Sequence, residues 1–88
     1  MILIFYYEYK LSLITMKDIE DFVKIANTLD TPLKLTDGKN YSVNPASLLG
    51  VMYSLEWNNL YLLSKEDVYS SFSKYIEHSR IKTTNLKI

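Results

Sequence analysis

The chain has 88 residues, with 10 basic and 10 acidic side chains, a formal net charge of zero and a hydrophobic fraction of 48%. This length suits one domain with one hydrophobic core, which we expect to span residues 1–88. The absence of cysteine excludes disulfides and thiolate metal sites, and a single histidine, His78, excludes a metal site built from several histidines. A neutral chain has no sequence-wide attraction for nucleic acid or for an anionic membrane, so we expect neither as a partner.

The N-terminal run from Met1 to Tyr7 is apolar, but no basic residue precedes the run and no small-residue cleavage site follows it. An export signal needs both features, and a membrane-spanning helix needs a much longer apolar stretch. We therefore expect this run to belong to a strand and the protein to be cytoplasmic.

The first strand and the first helix are predicted from a change of hydrophobic period. Tyr9, Leu11 and Leu13 recur at every second position, which is typical of a strand with one buried face. The segment Thr15-Met-Lys-Asp18 then resembles a capping box and starts an amphipathic helix that ends before Pro32. The apolar stripe of this helix consists of Ile19, Phe22, Val23, Ala26 and Leu29.

The middle of the chain predicts a hairpin followed by a short second helix. Two short strands, residues 33–35 and 41–43, flank the turn signal Asp37-Gly38. Ser47 is placed to cap a helix that ends near Glu56. These elements alternate with short connections, as expected within one compact domain.

A fourth strand at residues 60–63 leads into a last helix, whose start Ser64-Lys-Glu-Asp67 again has capping-box form. The buried stripe of this helix consists of Val68, Phe72, Tyr75 and Ile76. Residues 79–88 lose periodicity, so we expect them to fray and leave a domain core at about residues 8–77.

The predicted order of elements is therefore β-α-β-β-α-β-α. Two split β-α-β units imply an α+β fold of the open-faced β-sandwich type. In this architecture the helices cover one face of a four-stranded sheet.

Three short segments also carry a resemblance to a known family. They are Ser42-Val-Asn44, Ser47-Leu-Leu-Gly-Val-Met52 and Phe22-Val-Lys-Ile-Ala26. They resemble a strand, a Ser-Ile-Met-Gly-Val-Met helix start and the first helix of the histidine-containing phosphocarrier protein (HPr) family of the bacterial sugar phosphotransferase system. The likeness covers roughly residues 8 to 77 and implies an HPr-like fold with the same element order.

The segment that carries the chemistry of this family differs in this chain. The family has His-Ala-Arg-Pro-Ala before the first helix, and its histidine accepts a phosphoryl group that the helix N-terminus and the arginine stabilise. Here Thr15 occupies the histidine position, Lys17 the arginine position and Asp18 the proline position. A threonine phosphate ester is too stable for reversible transfer, so we expect no catalytic residue. We expect His78 to be an exposed residue of the tail and not to replace the missing histidine.

Ser47 has two compatible predicted roles. It caps the short second helix. The resemblance implies the second role, because in Gram-positive relatives the corresponding serine is phosphorylated by a dedicated kinase and the modified carrier binds a catabolite regulator. A phosphate at a helix N-terminus gains from free N–H groups and from the macrodipole. The preceding Asn44-Pro-Ala differs from the usual family context.

The resemblance further implies a surface for partner proteins on the first two helices. The candidate docking residues are Met16, Lys17, Leu48, Leu49, Met52 and Tyr53. Of the last four, we expect two to pack on the sheet and two to be exposed. We expect Trp57 to anchor the core rather than an interface.

We therefore predict a binding or regulatory module without relay chemistry, whose protein partners are phosphotransferase or catabolite-regulation components. One alternative is a phosphocarrier with another acceptor, such as Thr15, Ser47 or His78. A second is a structural domain that pairs with another copy through the run Ile2 to Tyr7, and we expect a monomer or a weak homodimer. No nucleophile–base pair or glycine-rich phosphate loop is visible, so we expect no enzyme activity, cofactor or metal.

Overall fold

The structure is a computed structural model that describes the backbone of residues 2–86 and the side chains of residues 5–83. Residue 1 of the predicted N-terminal strand and residues 87 and 88 of the predicted tail lie outside the described residues. The elements in chain order are β1 (Ile2–Leu11), α1 (Met16–Thr28), β2 (Leu33–Thr36), β3 (Ser42–Val43), α2 (Leu48–Ser54), β4 (Tyr61–Ser64), α3 (Tyr69–Phe72), a 3-10 turn (Ser73–Tyr75) and β5 (Ile76–Leu86). The α+β class is confirmed.

The described strands form an antiparallel sheet in the order β3-β2-β4-β1-β5. The short strand β4 lies between β1 and β2 and pairs with both of them. The N-terminal strand β1 continues past the end of β4 and pairs with β5 from Ile2–Leu86 to Leu11–Ile76. The first and last strands therefore form a long two-stranded ribbon at one side of the sheet.

The fifth strand corrects the predicted frayed tail and the predicted four-stranded sheet. Residues 76–86 are a strand, and they make the sheet five-stranded. The alternation of apolar and polar residues is weak in this segment. The reason is that β5 lies at the sheet edge and most of its described side chains are exposed, whichever face they point to. A register shift between Lys10 and Leu11 interrupts the pattern further.

The last helix is shorter than the sequence predicts, and its start is different. The helix covers only Tyr69–Phe72, and the 3-10 turn follows it. The predicted capping box at Ser64 is wrong, because the Ser64 hydroxyl bonds to the backbone of Glu66 instead. The predicted buried stripe is nevertheless correct for Val68, Phe72 and Tyr75, while Ile76 is partly buried.

The hydrophobic core lies on one face of the sheet, beneath the helices. Tyr9 and Leu11 of β1, Leu35 of β2 and Leu62 of β4 supply the sheet side of the core. The helices contribute Ile19, Phe22, Val23, Ala26, Val51 and Phe72. Burial of each large apolar side chain stabilises the fold by about 1.5–3 kcal/mol. The period-two and helical patterns of the sequence therefore identified most of this core correctly.

The side chain of Tyr9 lies in the core, and its hydroxyl makes two hydrogen bonds. Its hydroxyl donates to Asp67 Oδ1 at 2.8 Å and accepts the Val68 backbone N–H at 2.9 Å. Burial, followed by the bond to Asp67, raises the pKa of Tyr9 to about 12. These bonds attach the start of α3 to the middle of the sheet.

The second face of the sheet, which we call the open face, carries the side chains that alternate with the core. Because cross-strand partners point to the same side, the register assigns its members. Among the described side chains they are Tyr6, Glu8, Lys10, Lys34, Thr36, Ser42, Tyr61, Leu63, His78, Arg80 and Lys82. No helix in the described part of the chain is long and apolar enough to cross a membrane.

Candidate functional site

The start of α1 is the position at which the resemblance predicts the phosphate chemistry, and here it is a closed capping box. The Thr15 hydroxyl accepts the Asp18 backbone N–H at 3.1 Å. The Asp18 carboxylate accepts the backbone N–H groups of Ile14 and Thr15, each at 3.1 Å. The predicted Thr-x-x-Asp cap is confirmed.

This cap places a carboxylate where an incoming phosphate would have to bind. The backbone bonds from Ile14 and then Thr15 lower the pKa of Asp18, so its carboxylate is charged at neutral pH. A phosphate on Thr15 would therefore meet a fixed negative charge and would compete with Asp18 for the same N–H groups.

Lys17 does not compensate for this charge by itself. A groove of about 410 Å³ beside the helix start is lined by Lys17 and Lys74, but also by Asp18 and Asp21. The hydroxyl of Tyr75 donates to Asp21 Oδ2, and this bond, followed by burial, raises the pKa of Tyr75 to about 12. The groove thus balances two lysines with two carboxylates and offers no strong anion site.

Ser47 is the N-cap of α2, as predicted. Its hydroxyl accepts the Gly50 backbone N–H at 3.2 Å, and its own backbone N–H donates to the Asn44 carbonyl. The side chain of Asn44 also accepts the Ala46 backbone N–H at 2.9 Å, which fixes the turn before the helix. Ser47 is half-buried. Its phosphorylation stays a prediction.

The apolar side chains of α2 are more exposed than the sequence predicts. Leu48, Leu49, Met52 and Tyr53 are all exposed, between 40% and 78%, so the expectation that two of them pack on the sheet is wrong. The helix buries Val51 and Ser54 instead. Because α2 has only two turns, these two residues, three positions apart, are its only buried ones.

The helix α2 runs antiparallel to α1. The Asn27 side-chain amide, near the end of α1, donates to the Ala46 carbonyl just before α2 at 3.0 Å. At the other end, Ser54 and Leu55 share a groove with Leu13, which precedes α1. The end of α2 therefore approaches the end of the molecule at which α1 begins.

We call the exposed side chains at these two helices the docking face. It contains the predicted Met16, Lys17, Leu48, Leu49, Met52 and Tyr53, all of which are exposed, together with Ile14 and Leu55, which the sequence analysis missed. Ile14 is 80% exposed. The strand alternation of β1 placed Ile14 opposite the core, which was the available signal for its exposure.

Trp57 connects the docking face to the core. Its side chain is partly buried and packs against the core cluster, as predicted. One neighbour, Tyr41, is stacked on the Trp57 ring at 6.2 Å, and Tyr53 meets it edge-on at 6.3 Å. Tyr41 and Tyr53 are exposed. No local pattern indicated Tyr41 at this site, because the contact joins the hairpin to the segment after α2.

His78 lies on β5 rather than in an irregular tail. It is exposed, as predicted, and pairs across the ribbon with Lys10 on the open face. A groove of about 240 Å³ there is lined by Glu8, Lys10, Tyr61, His78, Ser79 and Arg80. Among the described residues, no three His, Asp or Glu side chains form a group that could hold a metal ion.

No protein-family model matches the chain, and no curated protein or solved structure matches it either. The likeness to HPr therefore rests on the three sequence segments alone. The geometry described above is the basis for assigning a function.

Proposed function

We propose that this chain is a protein-binding or regulatory module, related to HPr of the sugar phosphotransferase system, that does not relay phosphate. The observation that carries the proposal is the docking face, where Met16, Leu48, Leu49, Met52 and Tyr53 are all at least 40% exposed. Large apolar side chains that are exposed on two helices in contact with each other are typical of an interaction surface.

The aromatic end of the docking face supports the same proposal. Tyr53 and Tyr41 are held by the Trp57 ring, which is itself anchored in the core. Aromatic side chains that are already fixed lose little conformational entropy when a partner covers them, and such residues dominate many interfaces. A partner with an apolar surface would gain most of its binding energy here.

The capping box argues against phosphate relay. The Thr15 hydroxyl accepts a hydrogen bond from the backbone, and Asp18 fills the helix N-terminus with its own charge. Partner binding through the docking face needs neither group to react. We therefore propose that the protein binds partners without transferring phosphate to them.

The docking proposal is tested by NMR titration of labelled protein with the general enzyme and with the catabolite regulator of the phosphotransferase system. We expect one of them to shift amide signals of α2 and the α1 start. Leu49→Ser should weaken binding at least tenfold, because Leu49 is 78% exposed and its loss should not disturb folding. Ile81→Ser, which changes an equally apolar exposed residue on β5, is the matched control.

Two results would overturn the docking proposal. The first is the absence of any shift with either protein. The second is equal weakening by Leu49→Ser and Ile81→Ser, which would place the binding surface elsewhere.

Phosphate transfer is tested by intact-mass spectrometry. We expect no added phosphate from phosphoenolpyruvate with the general enzyme. With ATP and the serine kinase of the same system, we expect one phosphate that Ser47→Ala abolishes. Addition from phosphoenolpyruvate would contradict the proposal, and loss of that phosphate in Thr15→Val or His78→Ala would identify the acceptor.

The phosphocarrier alternative has one observation in its favour. His78, the only histidine of the chain, lies opposite Lys10 and beside Arg80 in the open-face groove. Two cations near an imidazole could stabilise a phosphoryl group. The His78→Ala arm of the mass experiment decides this alternative.

A further inference from the structure

The open face concentrates positive charge although the whole chain is neutral. Its strand residues include the four cations Lys10, Lys34, Arg80 and Lys82 and one carboxylate, Glu8. These cations come from three different strands, so their proximity depends on the sheet and not on the sequence.

The helix α1, on the other side of the sheet, has the opposite balance. It carries Asp18, Glu20 and Asp21 against Lys17 and Lys24. A formal net charge of zero therefore combines a basic sheet face with a first helix that has one net negative charge. A local field of this kind, rather than the net charge, attracts a charged partner at short range.

The carboxylate of the open face is already neutralised. Arg80 Nε donates to Glu8 Oε1 at 2.7 Å, and Lys82 Nζ lies 3.7 Å from Glu8 Oε2. The Glu8 side chain is only 10% exposed, whereas that of Arg80 is 61% exposed. The cations cover Glu8 and present their outer surfaces to solvent, together with Lys10 and Lys34.

Two tyrosines lie among these cations. Tyr61 pairs across the sheet with Lys10 and lines the groove that contains Arg80. Tyr6 pairs with Lys82 and lines a second groove of about 250 Å³ with Lys34 and Leu63. Both rings are half-buried, which orients them and leaves part of each surface accessible.

We propose that the open face binds single-stranded nucleic acid, with Lys10, Lys34, Arg80 and Lys82 at the phosphates and Tyr6 and Tyr61 against unpaired bases. Sheet surfaces that combine cations with exposed aromatic rings bind single strands, since only unpaired bases can stack on the rings. The proposal replaces the expectation, drawn from the net charge of zero, that nucleic acid is not a partner. It concerns a different surface from the docking face.

Two other polyanions fit the charge but not the aromatic rings. An anionic membrane or an acidic protein segment would use the four cations and would gain nothing specific from a stacked ring. Tyr6 and Tyr61 lie on opposite sides of the cross-strand row formed by Glu8 and Leu63, so each ring offers a separate stacking position along one bound strand. We therefore favour the nucleic acid.

The test is fluorescence anisotropy with a labelled single-stranded oligouridylate of about twelve nucleotides, a length within the site size of such surfaces. The full chain should bind it in low salt, and affinity should fall as salt rises. The double variant Lys10→Gln/Lys34→Gln should reduce the slope of log K against log salt by about 1.4, because each phosphate contact contributes about 0.7 for a single strand.

The matched control removes two lysines from the opposite side of the sheet. Lys24→Gln/Lys74→Gln changes the net charge equally, but both side chains are exposed on the helix side of the sheet, and the affinity should change less than twofold. Tyr61→Leu should weaken binding about fivefold or more without altering the salt slope. Circular dichroism of each variant establishes that the fold is retained.

Three outcomes would overturn the proposal. One is the absence of oligonucleotide binding in low salt, including the case in which phosphatidylserine vesicles bind instead. Another is an equal loss in both lysine pairs, which would mean attraction by net charge. The last is unchanged affinity in a folded Tyr61→Leu variant, together with equal binding of polyglutamate, which would leave a surface for any polyanion.

Discussion

The two faces of the sheet are built from the same strands and have opposite environments. On β4, Leu62 is completely buried beneath the helices, while the adjacent Leu63 is half-buried on the open face. On β1, Tyr9 is tied into the core and Lys10 points the other way. A strand therefore serves stability with one set of side chains and leaves the other set available for binding.

Glu8 shows that burial alone does not define the two faces. It is buried, yet it lies on the open face, where Arg80 and Lys82 cover it. On the helix side, burial comes from packed apolar groups. On the open face it comes from long side chains lying over their neighbours, with their charged ends in water. The first kind of burial stabilises strongly and the second weakly.

The largest predicted effect compares neighbours on β4. Leu62→Ala should lower the free energy of unfolding by about 2–5 kcal/mol, because it opens a cavity in the core. Leu63→Ala, the matched control, should cost less than about 1.5 kcal/mol because its side chain is half-buried. Urea unfolding measures both values. Equal losses would contradict the distinction between the two faces.

The second prediction concerns the polar bond inside the core face. Tyr9→Phe should cost about 1–3 kcal/mol in urea unfolding, since it leaves the buried Val68 N–H without its acceptor. Tyr7→Phe, on the same face and without such a bond in the described residues, should cost much less. Equal costs would show that the Tyr9 bonds contribute little.

The raised pKa of Tyr9 gives this bond a pH dependence. In the folded protein the pKa of Tyr9 is about 12, above the ordinary value near 10, so folding favours the protonated hydroxyl. The stabilisation is present below pH 10 and is lost as the pH rises toward 12. Tyr9→Phe should remove this part of the alkaline loss, and Tyr7→Phe should retain it.

The third prediction tests the cap at the end of the helix layer. Thr15→Ala should cost about 1 kcal/mol in thermal or urea unfolding, because the Asp18 N–H loses its partner. Since folding lowers the pKa of Asp18, the contribution of that carboxylate is present at neutral pH and is lost as the pH falls through the lowered pKa.

Asp18→Asn should therefore make the free energy of unfolding fall less steeply as the pH is lowered. Glu20→Gln, an exposed change on the same helix, should leave that profile as it is. If the two variants lose stability in parallel on acidification, the cap does not control the acid response.

The smallest predicted effect is on the open face. Lys82→Gln should change the free energy of unfolding by less than about 0.5 kcal/mol, because Lys82 is 40% exposed, its contact with Glu8 is 3.7 Å long, and Arg80 already pairs with that carboxylate. A double-mutant cycle with Glu8→Gln measures the coupling. A coupling above about 1 kcal/mol would mean that this face also stabilises the fold.

Local patterns predicted most of the helix-covered face. The alternation of Tyr9 and Leu11, the helical spacing of Ile19 and Phe22, and the cap at Thr15 all correspond to the structure. Each of these signals is contained within one element, where the period of hydrophobic residues reports which side is buried. The family resemblance named Met16 and Tyr53 as docking residues, and both are exposed, while their docking role stays a prediction.

The errors lie where an element depends on distant partners. The strand β5 is specified by its long pairing with β1 rather than by its own weak alternation, so the sequence predicted a frayed tail. The contact of Tyr41 with Trp57 joins separate loops. The expectation that two of the four apolar residues at 48, 49, 52 and 53 are buried was wrong, because two turns of helix leave too few positions to define a stripe.

The sequence by itself determined the α+β class, the order of the first elements and the absence of a histidine at the start of α1, because these follow from local periodicity and residue identity. Only the tertiary structure decided that a neutral chain has a basic face. Charges far apart along the chain, on Lys10, Lys34 and Arg80, are brought to one side by strand register. Net charge is a sum over the chain, whereas a binding surface depends on where the fold places each charge.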